Sequence, residues 1–511
     1  MSIVGTGFSG LGMAIRLEQK GVEYTVFERR DDLGGTWFDN TYPGCKCDVP
    51  SHLYSFSFAP NPEWSHTYSP QPEIWEYLRR TADEHGVVDK IRFGHEVLGT
   101  VWAEDRQRWR IETSQGTWTA DVLVAGQGAL SEPAIPEIAG LDRFEGAVFH
   151  SAEWDHDHDL SGERVAVIGT GASAIQFVPP IQPDVGQLSL FQRTPPWVLP
   201  HTDRPVTRAE RAVFRRFPAV QRLVRTLVYW ARELVVFGLV KNRRWMKPTE
   251  RLGRMHLEKQ VKDPELRAKL TPDYSPGCKR LLLSNDYYPS LGADNVEVVT
   301  DAIEEVRPTS VVTADGREHP ADTIIFGTGF KVTKPPVAHL VHGRDGRTLA
   351  DVWAERGMQA YLGTTVAGFP NLFMLAGPNT GIGHTSLVVM IEAQIGYVLG
   401  ALRLMEERDL GSVEPREEPF AAFNDELQRK MRTTVWSTGH CASWYLDDQG
   451  RNPTLWPDFT WRFTQRTRRF DPDAYHLVGR ADRASVAGGT DRAPAPAQSP
   501  ADEPLEVAAD A

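Results

Sequence analysis

The sequence predicts an α/β fold built from two Rossmann-like dinucleotide-binding domains, with a helical insertion in the second. Three observations carry this. A glycine-rich turn, Gly5-Thr6-Gly7-Phe8-Ser9-Gly10, stands between a strand pattern and a helix pattern. A second such turn, Gly169-Thr170-Gly171-Ala172-Ser173-Ala174, follows RVAVI and precedes another helix pattern. From 201 to 270 strand patterning stops, and Arg, Leu, Val and Trp recur at helical spacing.

The first unit opens at once. Only Ser2, Ile3 and Val4 precede Gly5, so either the natural start lies upstream or the first strand is short. LGMAIRLEQK supplies a helix that Gly21 ends, and VEYTVFE supplies the next strand. Strand, glycine turn, helix and strand make a βαβ unit. Gly5 makes the turn, Gly7 lets a pyrophosphate approach the backbone, and Gly10 lets the helix pack on the sheet. Phe8 and Ser9 open the helix, whose N-terminus holds negative charge. Glu28 ends the second strand, placed to accept hydrogen bonds from a ribose diol and to repel a 2′-phosphate. That chemistry suits FAD or NAD and not NADP. Gly34-Gly35-Thr36-Trp37 follows, where paired glycines permit close backbone approach to a ligand.

The second unit repeats the pattern with different chemistry. Ala174 replaces the third glycine, as NADP sites tolerate, and Ile175 continues the helix. No acid ends its second strand, LSLFQR; Gln192-Arg193-Thr194 stand there. A guanidinium beside a hydroxyl suits a 2′-phosphate, the plain alternative being an ordinary surface arginine. The pair of turns therefore calls for FAD first and NADPH second. DVLVAGQGAL (121–130) and DTIIFGTGF (322–330) are near copies, each expected to close its own domain. After 330, NLFMLAGPNT reads as strand and turn, and SLVVMIEAQIGYVLGALRLM as a long apolar-faced helix. Trp436 and Trp444 in the later loops are expected to pack in the core rather than line a pocket.

The totals bound the rest. A chain of 511 residues implies two or three domains. Hydrophobic residues at 41% and charged residues at 24% describe an ordinary globular protein. A net charge of -12 argues against a nucleic-acid partner. Cys45, Cys47, Cys278 and Cys441 are too few and scattered for a disulfide framework, so reduced thiols and a cytoplasmic location are expected. Cys45-Lys46-Cys47 lacks metal or redox spacing, and no metal is expected. No basic start and apolar core of a leader peptide is seen. The most membrane-like run, LVRTLVYWARELVVFGLV (223–240), carries Arg225, Arg232 and Glu233. A buried or amphipathic helix is the plain reading and a surface-lying membrane contact the alternative.

FEGAVFHSAEWD, residues 144–155, fills every position of the fingerprint FxGxxxHxxxW followed by Pro or Asp. By it the sequence resembles the type I Baeyer–Villiger monooxygenases. TYPGCKCDVPSHLYSFSF (41–58), GCKRLLLSNDYY (277–288) and GPNTGIGHTS (377–386) extend the likeness, which runs from residue 2 to about 465. The resemblance implies an FAD-containing, NADPH- and O2-dependent enzyme converting a ketone to an ester or lactone through a flavin C4a-peroxide. It implies that Arg280 stabilises the anionic species, with Asp48 as its carboxylate partner. A permanently charged arginine holds an anion where a lysine gives up its proton more readily. By the same match Lys279 reaches the NADP phosphate, Tyr54 lies near the flavin and the Val97 backbone meets the adenine. Lys46, Cys47 and Val49, with Gly35, Thr36 and Trp37, line the cofactors. The rival is a flavin-containing monooxygenase oxygenating nitrogen or sulfur, which shares both dinucleotide sites and does not need Arg280.

Phe144, Gly146, His150, Trp154 and Asp155 fall between the two units. They are read as a hinge, with His150 an anchor rather than a general base. The expected organisation is an FAD-binding first part at 1–145, a linker at 146–162, and an NADP-binding domain at 163–335 carrying the insertion. A return to the FAD domain with substrate loops follows at 336–480, then a disordered tail at 481–511.

Overall fold

The computed structural model describes residues 1–441 and 443–480; the tail expected over 481–511 lies outside the described residues. Two five-stranded parallel sheets organise the chain. The first runs Leu372–Met374, Leu123–Ala125, Ser2–Val4, Thr25–Phe27, Ile91–Arg92. The second runs Val296–Val299, Gln187–Phe191, Arg164–Ile168, Thr323–Phe326, Ala147–His150. In each, the strand before the glycine turn is central. The strand after the crossover helix flanks it on one side and the repeated apolar strand flanks it on the other. Strands covered on both faces need no polar alternation, which is why RVAVI, DVLVA and DTIIF read as continuous apolar runs.

The fingerprint is not a free linker. Ala147–His150 is the edge strand of the second sheet, paired residue for residue with Thr323–Phe326. Gly146 is required there, because a Cβ would lie 2.0 Å from the Asp322 carbonyl oxygen and 2.7 Å from the Phe144 ring. Trp154 wedges between Phe149 and Phe177, with ring centroids 5.2 and 5.3 Å away. Asp155 closes a local turn by accepting from the Asp157 amide. A short apolar run gives no sign of which sheet it joins, so sequence patterning missed this strand.

The insertion is framed by a parallel pair, Val198–Leu199 with Leu282–Leu283. Between them lie helices Arg208–Arg216, Pro218–Glu233, Lys247–Gln260 and Pro264–Lys269. A capping box of Thr207 and Glu210 starts the first. The insertion reaches back onto the first domain. Arg225 donates to the carbonyls of His52, Leu53 and Ser55 at 2.7, 3.2 and 3.0 Å. Gln221 donates to the Asn61 carbonyl at 2.6 Å.

Leu387–Glu407 is long and apolar enough to cross a membrane. Here it packs on Phe8–Glu18, where a Cβ on Gly12 would come within 2.9 Å of Ile395 and of Phe56. Two expectations are corrected. Cys278 and Cys441 form a disulfide rather than reduced thiols, leaving Cys45 and Cys47 free and buried among the described residues. The pair is separated by 163 residues, a closure that spacing alone does not announce. Trp436 is buried as expected, but Trp444 is 47% exposed, with its ring tilted against Tyr445 at 4.4 Å.

Candidate active site

The first glycine turn is shaped by necessity. Gly5 sits at φ +91°, a conformation that favours glycine, and a Cβ on Gly10 would fall 1.8 Å from the Gly5 carbonyl oxygen. Gly35, at φ +54°, touches Gly7 so closely that a Cβ would lie 3.0 Å from its Cα. Gly7 precedes Phe8–Glu18 without any side-chain cap, leaving the first amides of that helix for an anion. Glu28 is buried and anchored to the turn. Its Oε2 accepts from the Thr6 amide at 3.0 Å and the Thr6 hydroxyl at 2.5 Å, and its Oε1 accepts from the Arg30 amide at 3.0 Å. The His95 amide donates to the Glu28 carbonyl, which puts Val97, two residues on, beside the same strand end. Thr36 and Trp37 open the helix Thr36–Asp39, and Trp37 donates to the Tyr54 hydroxyl at 3.0 Å. The Tyr54 ring stands edge-on to Phe8 at 5.0 Å, and burial raises its pKa, so it stays a neutral phenol. A glycine cradle, a free helix N-terminus and a buried carboxylate fit the pyrophosphate and ribose of FAD.

The second turn has the same backbone and the opposite charge. Gly169 takes φ +110°, where a Cβ would meet the Gly327 carbonyl oxygen at 2.5 Å. Ala174 is tolerated because Gly327 faces it; a Cβ there would lie 3.2 Å from that of Ala174. Gly171 and Ala172 are exposed, Ser173 begins the helix uncapped, and Ile175 is buried beneath it. Thr170 donates to the Thr194 carbonyl at 3.3 Å, joining the turn to the strand end that carries Arg193. Lys279 lies over the Tyr274 ring at 5.1 Å. Its pKa is lowered by burial and then by the charge of Arg193. Neither cation has a carboxylate within ion-pair distance among the described residues. Two neighbouring, unneutralised cations suit a 2′-phosphate.

The two domains meet at the loop that carries Asp48. Gln176, on the helix after the second turn, donates to the Lys46 carbonyl at 2.9 Å. Its Oε1 accepts from the Tyr42 hydroxyl at 3.0 Å and the Lys46 amide at 3.2 Å. Gly44 allows this contact, since a Cβ would sit 2.4 Å from the Gln176 carbonyl oxygen. Cys47 is buried, its sulfur accepts from the Val49 amide at 3.4 Å, and burial raises its pKa well above the usual thiol range. It is a packing residue rather than a nucleophile.

Asp48 and Arg280, 232 residues apart, form a two-pronged ion pair. Nε donates to Oδ2 at 2.5 Å and the second guanidinium nitrogen to Oδ1 at 2.6 Å. Burial pushes the Asp48 carboxyl up, but the Arg280 charge and its hydrogen bonds win, and the pKa is lowered. Asp48 raises the pKa of Arg280 in turn, so the guanidinium stays charged. Tyr445 lies close enough to Arg280 for its charge to act on the phenol, and burial pushes the Tyr445 pKa up to about 12. Cys278 ties this segment to Cys441, and the Leu282 amide donates to the Trp197 carbonyl. Lys279 of the second dinucleotide site and the paired Arg280 are thus consecutive residues of one pinned loop, just before the strand Leu282–Leu283.

The family model for flavin-binding monooxygenase-like proteins matches residues 1–344. A Baeyer–Villiger monooxygenase of Pseudomonas aeruginosa is 53% identical over 481 residues, 94% of this chain and 91% of that protein. One of Streptomyces coelicolor is 51% identical over 94% of this chain and 92% of its own length. The chain belongs to the type I Baeyer–Villiger monooxygenases of this family. Among solved structures, the monooxygenase resembles oxidized steroid monooxygenase bound to NADP, with TM-score 0.81, 29% identity, and 94% of this chain and 99% of that chain covered. It also resembles cyclohexanone monooxygenase from Rhodococcus sp. Phi1 bound to NADP+, with TM-score 0.83, 28% identity, and 94% and 98% covered.

Several residues that build this Baeyer–Villiger monooxygenase's site escape sequence reading. Gln176 and Tyr42 join the domains but carry no motif of their own. Tyr445 stands next to Trp444 in a loop without a motif, yet it is the one that feels the charge of Arg280. His150 stands apart from the ion pair. It is 1% exposed, its Nδ1 accepts from the Ala152 amide at 3.1 Å, and its ring meets Phe330 edge-on at 5.7 Å. Burial lowers its pKa to about 4, which suits an anchor within the second domain.

Proposed function

We propose that the enzyme inserts one oxygen atom of O2 beside the carbonyl of an apolar ketone, giving an ester or lactone, with NADPH as electron donor. The observation that carries this reading is the two-pronged, half-buried ion pair between Arg280 and Asp48, set where the two dinucleotide domains meet. Gly5, Gly7, Gly10, Glu28 and Gly35 hold FAD; Gly169, Gly171, Arg193 and Lys279 hold NADPH. The bound flavin, once reduced, supplies activated oxygen from O2. The protein's part is electrostatic. Arg280 stands as a permanent cation where negative charge develops on the oxygen added to the ketone. Asp48 fixes the plane of the guanidinium and, being ionised, keeps it from swinging towards solvent. Tyr445, protonated at working pH, closes a third side. The apolar cluster that contains Tyr445 and Cys278 also holds Leu239, Met246, Val435 and Trp436. It supports an apolar ketone over a charged one, because a charge buried there would have no partner.

Arg280→Ala tests the role. The variant is expected to bind FAD and reduce it with NADPH at near the parent rate while yielding no ester. Normal ester yield would remove Arg280 from the chemistry. Retained oxidation of amines or sulfides by the parent, with no ketone turned over, would favour the nitrogen- or sulfur-oxygenating alternative.

A further inference from the structure

The helix Pro218–Glu233 and the turn after it leave an unpartnered apolar face. Leu223, Leu227, Trp230 and Leu234 recur at intervals of four, three and four residues, the spacing of one helical stripe. They are 57, 61, 52 and 66% exposed. Phe237 and Trp245 extend the patch, with ring centroids 6.3 Å apart and Trp245 69% exposed. Single exposed leucines are ordinary on a protein surface; six large apolar side chains in one patch are not. The helix's other face docks by Gln221, Arg225 and the buried Glu233, so the stripe is not a misplaced core face.

Charge says what covers it. Residues 211–247 hold ten Lys and Arg against a single acid, Glu233, in a chain whose net charge is -12. Glu233 is buried, accepting from the Tyr229 hydroxyl and the Trp461 amide. Arg216, Arg222, Arg243 and Arg244 are exposed and have no carboxylate within ion-pair distance among the described residues. A symmetric contact with a second copy would set this cationic patch against itself. A partner that is apolar within and anionic at its surface satisfies both features. Tryptophans at the edge of a leucine stripe, flanked by arginines, are the composition of a helix lying in a bilayer interface.

We infer that the insertion docks this enzyme peripherally on an anionic lipid surface, through Leu223, Leu227, Trp230, Leu234, Phe237 and Trp245. The FAD-loaded enzyme is to be sedimented with phosphatidylcholine vesicles, with and without phosphatidylglycerol, at low and high salt. Binding to the anionic vesicles at low salt is expected to exceed that to neutral ones by about tenfold and to fall with salt. The triple variant Leu227→Ser, Trp230→Ser, Leu234→Ser alters only exposed positions. It is expected to lose vesicle binding while keeping the parent's ketone oxidation in vesicle-free buffer. No sedimentation with either vesicle, or equal sedimentation of the triple variant, overturns the inference. So does a concentration-dependent dimer, seen by light scattering, that the same substitutions dissociate.

Discussion

The two glycine turns share one backbone and differ in almost everything attached to it. In the first, Glu28 is buried and held by two hydrogen bonds from Thr6, so acid and turn form one rigid unit. In the second, the matching strand end carries Arg193, exposed and without a carboxylate partner among the described residues, next to a half-buried Lys279. The difference teaches how one fold holds a resident cofactor and a visiting one. A preorganised carboxylate in a closed cradle suits a group that stays. Two unneutralised cations at the surface suit an anion that arrives, is held and leaves. The domains communicate through Gln176, whose side chain holds the loop that presents Asp48.

The comparison breaks most severely at the third turn position. Gly10→Ala places a Cβ 1.8 Å from a backbone oxygen, beyond the ~1–3 kcal/mol of ordinary overpacking. It is expected to purify without flavin colour. Ala174→Gly, the reverse change in the second turn, is expected to cost only about 1 kcal/mol and leave the flavin spectrum intact. Equal loss from both would erase the distinction.

Charge exchange is the next test. Arg193→Ala removes a charged hydrogen bond of about 1.5–3 kcal/mol, raising the KM for NADPH about 10–100-fold and leaving NADH unchanged. A parallel rise for both cofactors would mean Arg193 does not read the phosphate. Glu28→Gln keeps the shape of the first site but removes its charge. A loss of about 1–2 kcal/mol in thermal unfolding and weaker FAD retention are expected, with NADPH affinity unmoved.

The effect that is smallest near neutral pH, and appears only as pH falls, sits in the second domain alone. His150, with a pKa lowered to about 4, is neutral when folded, whereas an unfolded histidine titrates near 6.5. The unfolded chain therefore binds the proton first. The contribution is complete above about pH 6.5 and is lost as pH falls towards 4, amounting to about 3 kcal/mol at most. His150→Asn preserves an acceptor for the Ala152 amide without a titrating ring. It is expected to flatten the acid limb of stability between those pH values, followed by urea unfolding. An unchanged limb would show that other groups govern it.

Much of the site was legible because its determinants are local. Gly5 to Gly10 and Gly169 to Ala174 state their geometry within six residues, and Glu28 and Arg193 follow at the end of the next strand. Asp48 and Arg280 were found only through the family's motifs, since nothing in either segment names the other. The fingerprint reads as a linker from sequence, yet its Ala147–His150 is a strand of the second sheet. A four-residue apolar stretch does not say which sheet edge it extends, and only pairing with Thr323–Phe326 decides it.

The sequence by itself determined two dinucleotide turns, their opposite charges, the helical insertion and the family. All of these depend on spacing within a few turns of chain, where covalent geometry limits what the backbone does. Only the tertiary structure decided the two-pronged geometry of the Asp48–Arg280 pair, the Gln176 bridge and the Cys278–Cys441 disulfide. It alone placed Tyr445 rather than Trp444 beside the arginine, and left the leucine stripe of the insertion facing outward. These contacts join segments separated by more than a hundred residues, or turn on which face of an element the rest of the fold covers. Packing settles both, and packing is a property of the whole chain.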